Sequence, residues 1–274
     1  MTIQQQSPAG PDTAPRPGGA PAPLVSYLLI VVNCLVFLAG PDGVNPSYGA
    51  STAQRACAAQ RYQQRWGAVP AELLSDRPLT AAQLARTAPA VADCPARATP
   101  GKIPVLSVLS SLFVHGGWLH LLGNMLFLYV FGPGLEERLG RFRFLGCYLA
   151  LGALAAYGYA LTTAGGAQAL RPLVGASGAI SAVLGGYLRL YPRARVTALV
   201  PMLLFLPLRL PAWLVLGLWF AVQWWSAGQA APGVAYLAHV IGFAAGYLTV
   251  WAAAARGRLP ARPDSAAAGG AAGR

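Results

Sequence analysis

Residues 175–191 read GASGAISAVLGGYLRLY. Small and apolar residues fill the run from Gly178 to Tyr191, and Pro192 and Arg193 end it. As a helix from Ser177 to Tyr191, about fifteen residues, this run covers about 22 Å at 1.5 Å per residue. The hydrocarbon core of a bilayer is about 30 Å thick. With Arg193 marking the inner surface, Ser177 lies below the outer one. The non-helical backbone of 171–176 then sits at membrane depth, which is tolerated only against protein or a water-filled cavity. A serine at such a place is either a nucleophile or a helix cap, with Gly178 as a packing residue. Taken alone, the motif favours the cap.

The neighbouring sequence has the same character. Five further apolar runs, at 24–38, 119–131, 142–163, 211–225 and 236–254, flank this one. Of the 274 residues, 55% are hydrophobic and 10% are charged, against about a quarter charged in a soluble domain. The expected fold is therefore an all-α membrane protein, a bundle of six transmembrane helices in the lipid bilayer. The net charge of +12 does not indicate nucleic acid, because the arginines flank apolar runs instead of forming one basic face.

Residues 1–23, rich in Pro, Gly, Ala and Gln, and residues 255–274 read as disordered tails around a membrane domain at 24–254. No small-x-small cleavage site follows the first apolar run, so it is expected to be retained. Residues 41–101 form a long first loop, with short helices expected at 69–74 and at 80–87, the latter capped by Thr80. Residues 196–210 are apolar but carry Pro201, Pro207 and Arg209, and are expected to lie along the membrane surface. Arg16, Arg138, Arg141, Arg143, Arg189, Arg193, Arg195 and Arg209 would share one face of a six-span arrangement. The positive-inside rule then places both termini in the cytoplasm and the first loop outside, in the inner (plasma) membrane of the cell. Cys34 and Cys147 lie in apolar runs and behave as small hydrophobes. Cys57 and Cys94 lie in the loop without a CxxC pair or a nearby histidine, so a disulfide is expected there if it faces an oxidising compartment, and a metal site is not.

All three histidines, His115, His120 and His239, lie in or beside apolar runs. Ionisable residues at membrane depth are expensive and usually functional, although a single one often serves only as a hydrogen-bond partner. His239, Gly242 and Gly246 share a helix face, as do Ser177, Ser181 and Gly185. Packing these small faces together would bring His239 to Ser177 as a general base. No Asp or Glu lies in the expected spans, so a Ser–His dyad is inferred. His120 and Asn124, one turn apart, would donate to an oxyanion together with the Ser177 amide; an interhelical polar clamp is an equal reading.

Three motifs occur in order: His115-Gly-Gly-Trp-Leu-His120-Leu-Leu-Gly-Asn124-Met125, Gly175-Ala-Ser177-Gly178, and Ala238-His239-Val-Ile-Gly242 with Gly246. With Glu136-Glu137-Arg138-Leu139-Gly140 after the second span, the chain resembles the rhomboid family over about 24–254. That resemblance implies an intramembrane serine endopeptidase with Ser177 as nucleophile and His239 as base. It implies an oxyanion hole of His120, Asn124 and the Ser177 amide. His115 would be structural, and Glu136 and Arg138 would hold the first helices together. Substrates would be single-pass membrane proteins, cut near the outer face at small residues, with helix breakers beyond, and no metal or cofactor would be needed. The chain departs from the pattern at Ser181, where rhomboids often place an aromatic ring against the catalytic histidine. The Trp-Arg pair often found in the first loop is not evident before Leu112.

The alternatives are a catalytically silent rhomboid-like protein that binds membrane clients and a transporter. The transporter would want charged or broken helices in matched halves. The fifth span is the candidate gate for substrate: Pro211 breaks its start, and Trp213, Trp219 and Trp224 are expected to face lipid. Aromatic anchoring at the interface is an equal reading.

Overall fold

The computed structural model describes residues 22–49, 51–86, 94, 97–200, 206–229 and 233–259. The tails expected at 1–23 and 255–274 fall largely outside them. The bundle is built from helices α1 (Leu24–Ala39), α6 (Trp118–Leu139), α7 (Arg141–Thr162), α8 (Ser177–Leu190), α9 (Ala212–Gly228) and α10 (Tyr236–Ala255). Among the described residues, α6, α7 and α10 are long and apolar enough to cross a membrane. Helix α1 has 16 residues, α8 has 14 and α9 has 17.

Helix α8 is the centre. Residues 179–186 are all buried, as expected of a helix that is apolar on every side. It packs against α6, α7, α9 and α10. The closest approach is to α10. A Cβ at Gly246 would fall on the carbonyl of Ala182, one at Gly242 on that of Gly178, and one at Gly185 on that of Phe243. Hydrogen side chains let the two backbones meet, as small residues do between membrane helices.

The second apolar run extends beyond Phe131, its expected end. Helix α6 continues through Pro133 to Leu139, so Glu136 and Glu137 belong to its last turn. The expectation of spans without acidic residues is corrected here. Glu136 is buried and satisfied: its Oε1 accepts from Val25 N (2.9 Å), and its Oε2 accepts from Ser26 N (2.7 Å) and Ser26 Oγ (2.7 Å). A carboxylate at a helix start meets the unpaired first-turn N–H groups and the positive end of the helix dipole. Glu136 thus caps α1. Arg138 lies in the same last turn, at the end of α6 away from His120. Glu136→Ala is expected to lower unfolding stability by about 3 kcal/mol, because buried donors lose their acceptor. Thermal unfolding in detergent reads this as a lower midpoint.

Among the described residues, four α-helices lie between the first and second spans: α2 (Thr52–Trp66), α3 (Pro70–Ser75), α4 (Ala81–Ala85) and α5 (Pro104–Ser111). Thr80 caps α4 as expected, paired reciprocally with Gln83. The polar helix α2 carries no apolar run, and its legible mark is the capping box of Ser51 and Gln54. Cys57 on α2 is joined to Cys94 by a disulfide, with Cα atoms 5.5 Å apart. The Lys102 ammonium forms a buried ion pair with Glu72 and donates to the carbonyls of Gln64 and Gly67, both at 2.8 Å. Burial lowers the Lys102 pKa, and Glu72 partly restores it.

The segment at 196–210, expected to lie along the membrane surface, contributes an antiparallel pair of strands, β1 (Arg195–Val200) and β2 (Leu206–Pro211). At its base Arg195, Thr197 and Arg209 are exposed and Val196 is buried. That two-residue period fits a strand, and the apolar total alone does not reveal it.

Candidate active site

Ser177 is the first residue of α8, and His239 lies in the first turn of α10. The contact between the small faces of these helices brings the two together: His239 Nε2 lies 2.8 Å from Ser177 Oγ. Both residues are half-buried. Ser181, one turn on, donates its hydroxyl to the Ser177 carbonyl at 2.6 Å.

The loop before α8 is held on two sides. Gly175 N donates to Ser111 O at 2.9 Å, at the end of α5. Leu173 exchanges both backbone hydrogen bonds with Ala68, at 2.7 and 3.0 Å. The long first loop therefore fixes the segment that leads into Ser177. Gly175 has φ +111°, a left-handed conformation that disfavours a side chain. A Cβ there would also lie 2.6 Å from His120 Nε2 and 3.8 Å from Asn124 Nδ2. The imidazole of His120 and the amide of Asn124 thus face the loop before Ser177 across Gly175. Asn124 Nδ2 donates one N–H to His120 O at 2.9 Å, and an amide carries a second. The buried His115 ring stands edge-on to His120, with centroids 5.1 Å apart. Gly178 packs against Ala155. A small pocket beside Ser177 is lined by Gly152, Ala155, Gly175 and Ala238.

Two neighbours of His239 were not anticipated. Gln223, buried on α9, faces His239 Nδ1 through Oε1 at 2.7 Å. Trp219, one turn earlier, places its ring centroid 6.1 Å from that of His239. Trp219 was expected to face lipid. It packs instead against His239, Phe127 and Phe243, because spacing four places it on the face of Gln223. Trp213 and Trp224 are exposed. The signal for Gln223 was present as the lone amide in the apolar run 211–225.

The Rhomboid domain family model matches residues 104–256, more than half of the chain. The chain is similar to the "Putative rhomboid protease YdcA" of Bacillus subtilis (strain 168), 36% identical over 30% of this chain and 39% of that protein. It is similar to "Rhomboid protein 1, mitochondrial" of Saccharomyces cerevisiae, 33% identical over 53% of this chain and 41% of that protein. It is also similar to "Presenilin-associated rhomboid-like protein A, mitochondrial" of Danio rerio, 34% identical over 38% of this chain and 27% of that protein. The chain spans less than half the length of each of these relatives. With the family model covering α6 to α10 and all three motif regions, this chain belongs to the rhomboid family.

Proposed function

We propose that this chain is a serine endopeptidase that cuts single-pass membrane proteins in or near their transmembrane segments, with Ser177 as nucleophile and His239 as base. The observation that carries the reading is the 2.8 Å contact between His239 Nε2 and Ser177 Oγ. A neutral Nε2 accepts the hydroxyl proton as Oγ attacks the scissile carbonyl carbon. The tetrahedral oxyanion takes hydrogen bonds from Asn124, His120 and the Ser177 amide, which lies in a helix first turn without an intrahelical acceptor. The imidazolium then protonates the leaving amine. Water, deprotonated by His239, hydrolyses the acyl-enzyme and frees the second product as an acid.

All six bundle helices are read as spans. Arg138, Arg141, Arg143, Arg189, Arg193, Arg195 and Arg209 lie at the end away from Ser177, which favours cytoplasmic termini and an outward site. The pocket lined by Gly152, Ala155, Gly175 and Ala238 supports a small residue on the amino side of the cut. Purified protein in liposomes, incubated with a panel of single-pass substrates and analysed by product mass, is expected to give cuts after Ala, Gly or Ser. Binding of a client without cleavage would favour the silent alternative. Asn124→Ala is expected to reduce kcat by about 100- to 1,000-fold, with a thermal midpoint close to that of the parent.

A further inference from the structure

Helix α9 brings two side chains to the imidazole of His239. Gln223 is 9% exposed, and its carbonyl Oε1 lies 2.7 Å from Nδ1. A carbonyl oxygen only accepts, so the bond requires the ring proton on Nδ1. Nε2 then keeps its lone pair, and it is Nε2 that faces Ser177 Oγ. One acceptor therefore selects both the tautomer and the ring angle that a general base needs. In the same way, a partner on the far nitrogen orients the histidine of a serine-protease triad. Trp219 adds an aromatic surface 31° from the ring plane of His239. Ser181 on α8 supplies no such surface, since its hydroxyl is turned back to the Ser177 carbonyl.

We propose that Gln223, assisted by Trp219, is the positioning residue of the catalytic histidine, so that the working unit is Ser177–His239–Gln223 with its third member on α9. This inference rests on the protease reading above. The helix itself fits the role. Among the described residues, α9 buries only Ala212, Leu216 and Gln223, while Trp213, Leu218, Val222 and Trp224 are exposed. A buried amide on such a helix is costly unless it is paired, and the partner it has is the base.

The test uses the full chain in liposomes with a cleavable single-pass reporter and a fluorophosphonate probe. Gln223→Leu keeps the volume and removes the acceptor. It is expected to lower kcat and the rate of probe labelling by about tenfold to hundredfold, part of what general-base catalysis supplies, with KM within about twofold. Gln223→Glu restores an acceptor and is expected to recover most of the loss, which a purely packing role would not allow. In protein labelled with ¹⁵N-histidine, an Nδ1–H resonance should be present, be absent from His239→Ala and be lost in Gln223→Leu. Parent-like kcat in Gln223→Leu, or equal losses in Leu and Glu variants, would overturn the proposal, as would a His239 protonated on Nε2 in the parent. The resonance does not depend on turnover. An inactive parent chain would therefore sink the protease reading, while the tautomer would still decide the role of Gln223.

Discussion

Ser177→Ala is expected to abolish cleavage of a single-pass reporter, and His239→Ala to do the same, each by at least about four orders of magnitude. The substitutions remove two halves of one contact, the 2.8 Å bond from Nε2 to Oγ. Without the hydroxyl there is no acyl-enzyme. Without the imidazole, the hydroxyl keeps its proton at neutral pH and the amine leaves unprotonated. The two losses should not add: the double variant should be no slower than either single one, because the residues act as a unit. Neither side chain is part of the buried apolar core, so both variants should unfold near the parent temperature. Reporter cleavage at the parental rate by either variant would remove the dyad.

Gly246→Val is expected to eliminate activity by a different route. Its first side-chain atom would fall on the carbonyl of Ala182. That obstacle is backbone at the centre of α8, where nothing flexible can yield. Helices α8 and α10 must separate, and the cost of overpacking is about 1–3 kcal/mol or more. The thermal midpoint should drop by about 5 °C or more. The separation lies two turns from His239, so the bond to Ser177 should be lost and fluorophosphonate labelling should disappear. Gly146→Ala is the control, since a Cβ there meets nothing within 4 Å. A Gly246→Val protein that labels and melts like the parent would mean that the α8–α10 approach does not set the site.

How much of this was legible varies by element. The helices α1, α7, α8 and α10 begin and end within two residues of their apolar runs. Lipid demands continuous apolar surface, and composition records that demand directly. Ser177, His239, His120 and Asn124 stood out because polar side chains in such runs are rare. The extension of α6 past Phe131 is hidden in the sequence, because Pro133 and the charged residues 136–138 interrupt the apolar run, and the partners that satisfy Glu136, Val25 and Ser26, lie more than 100 residues away. The strands β1 and β2 were hidden for a similar reason: two prolines and an even apolar content mask a two-residue period.

By itself the sequence determined a membrane-type helical chain, the small faces of α8 and α10, and the few polar side chains that stand in or beside the apolar runs. These depend on composition and on periods of three and four, which are local. Tertiary structure alone decided that Gln223 meets His239 across 16 positions, that Trp219 turns inward, and that Ala68 pairs with Leu173 in the loop before Ser177. Each of these depends on which faces of distant segments meet. That is settled by close packing and by the need to pair buried polar groups, and neither condition is visible along a single stretch of chain.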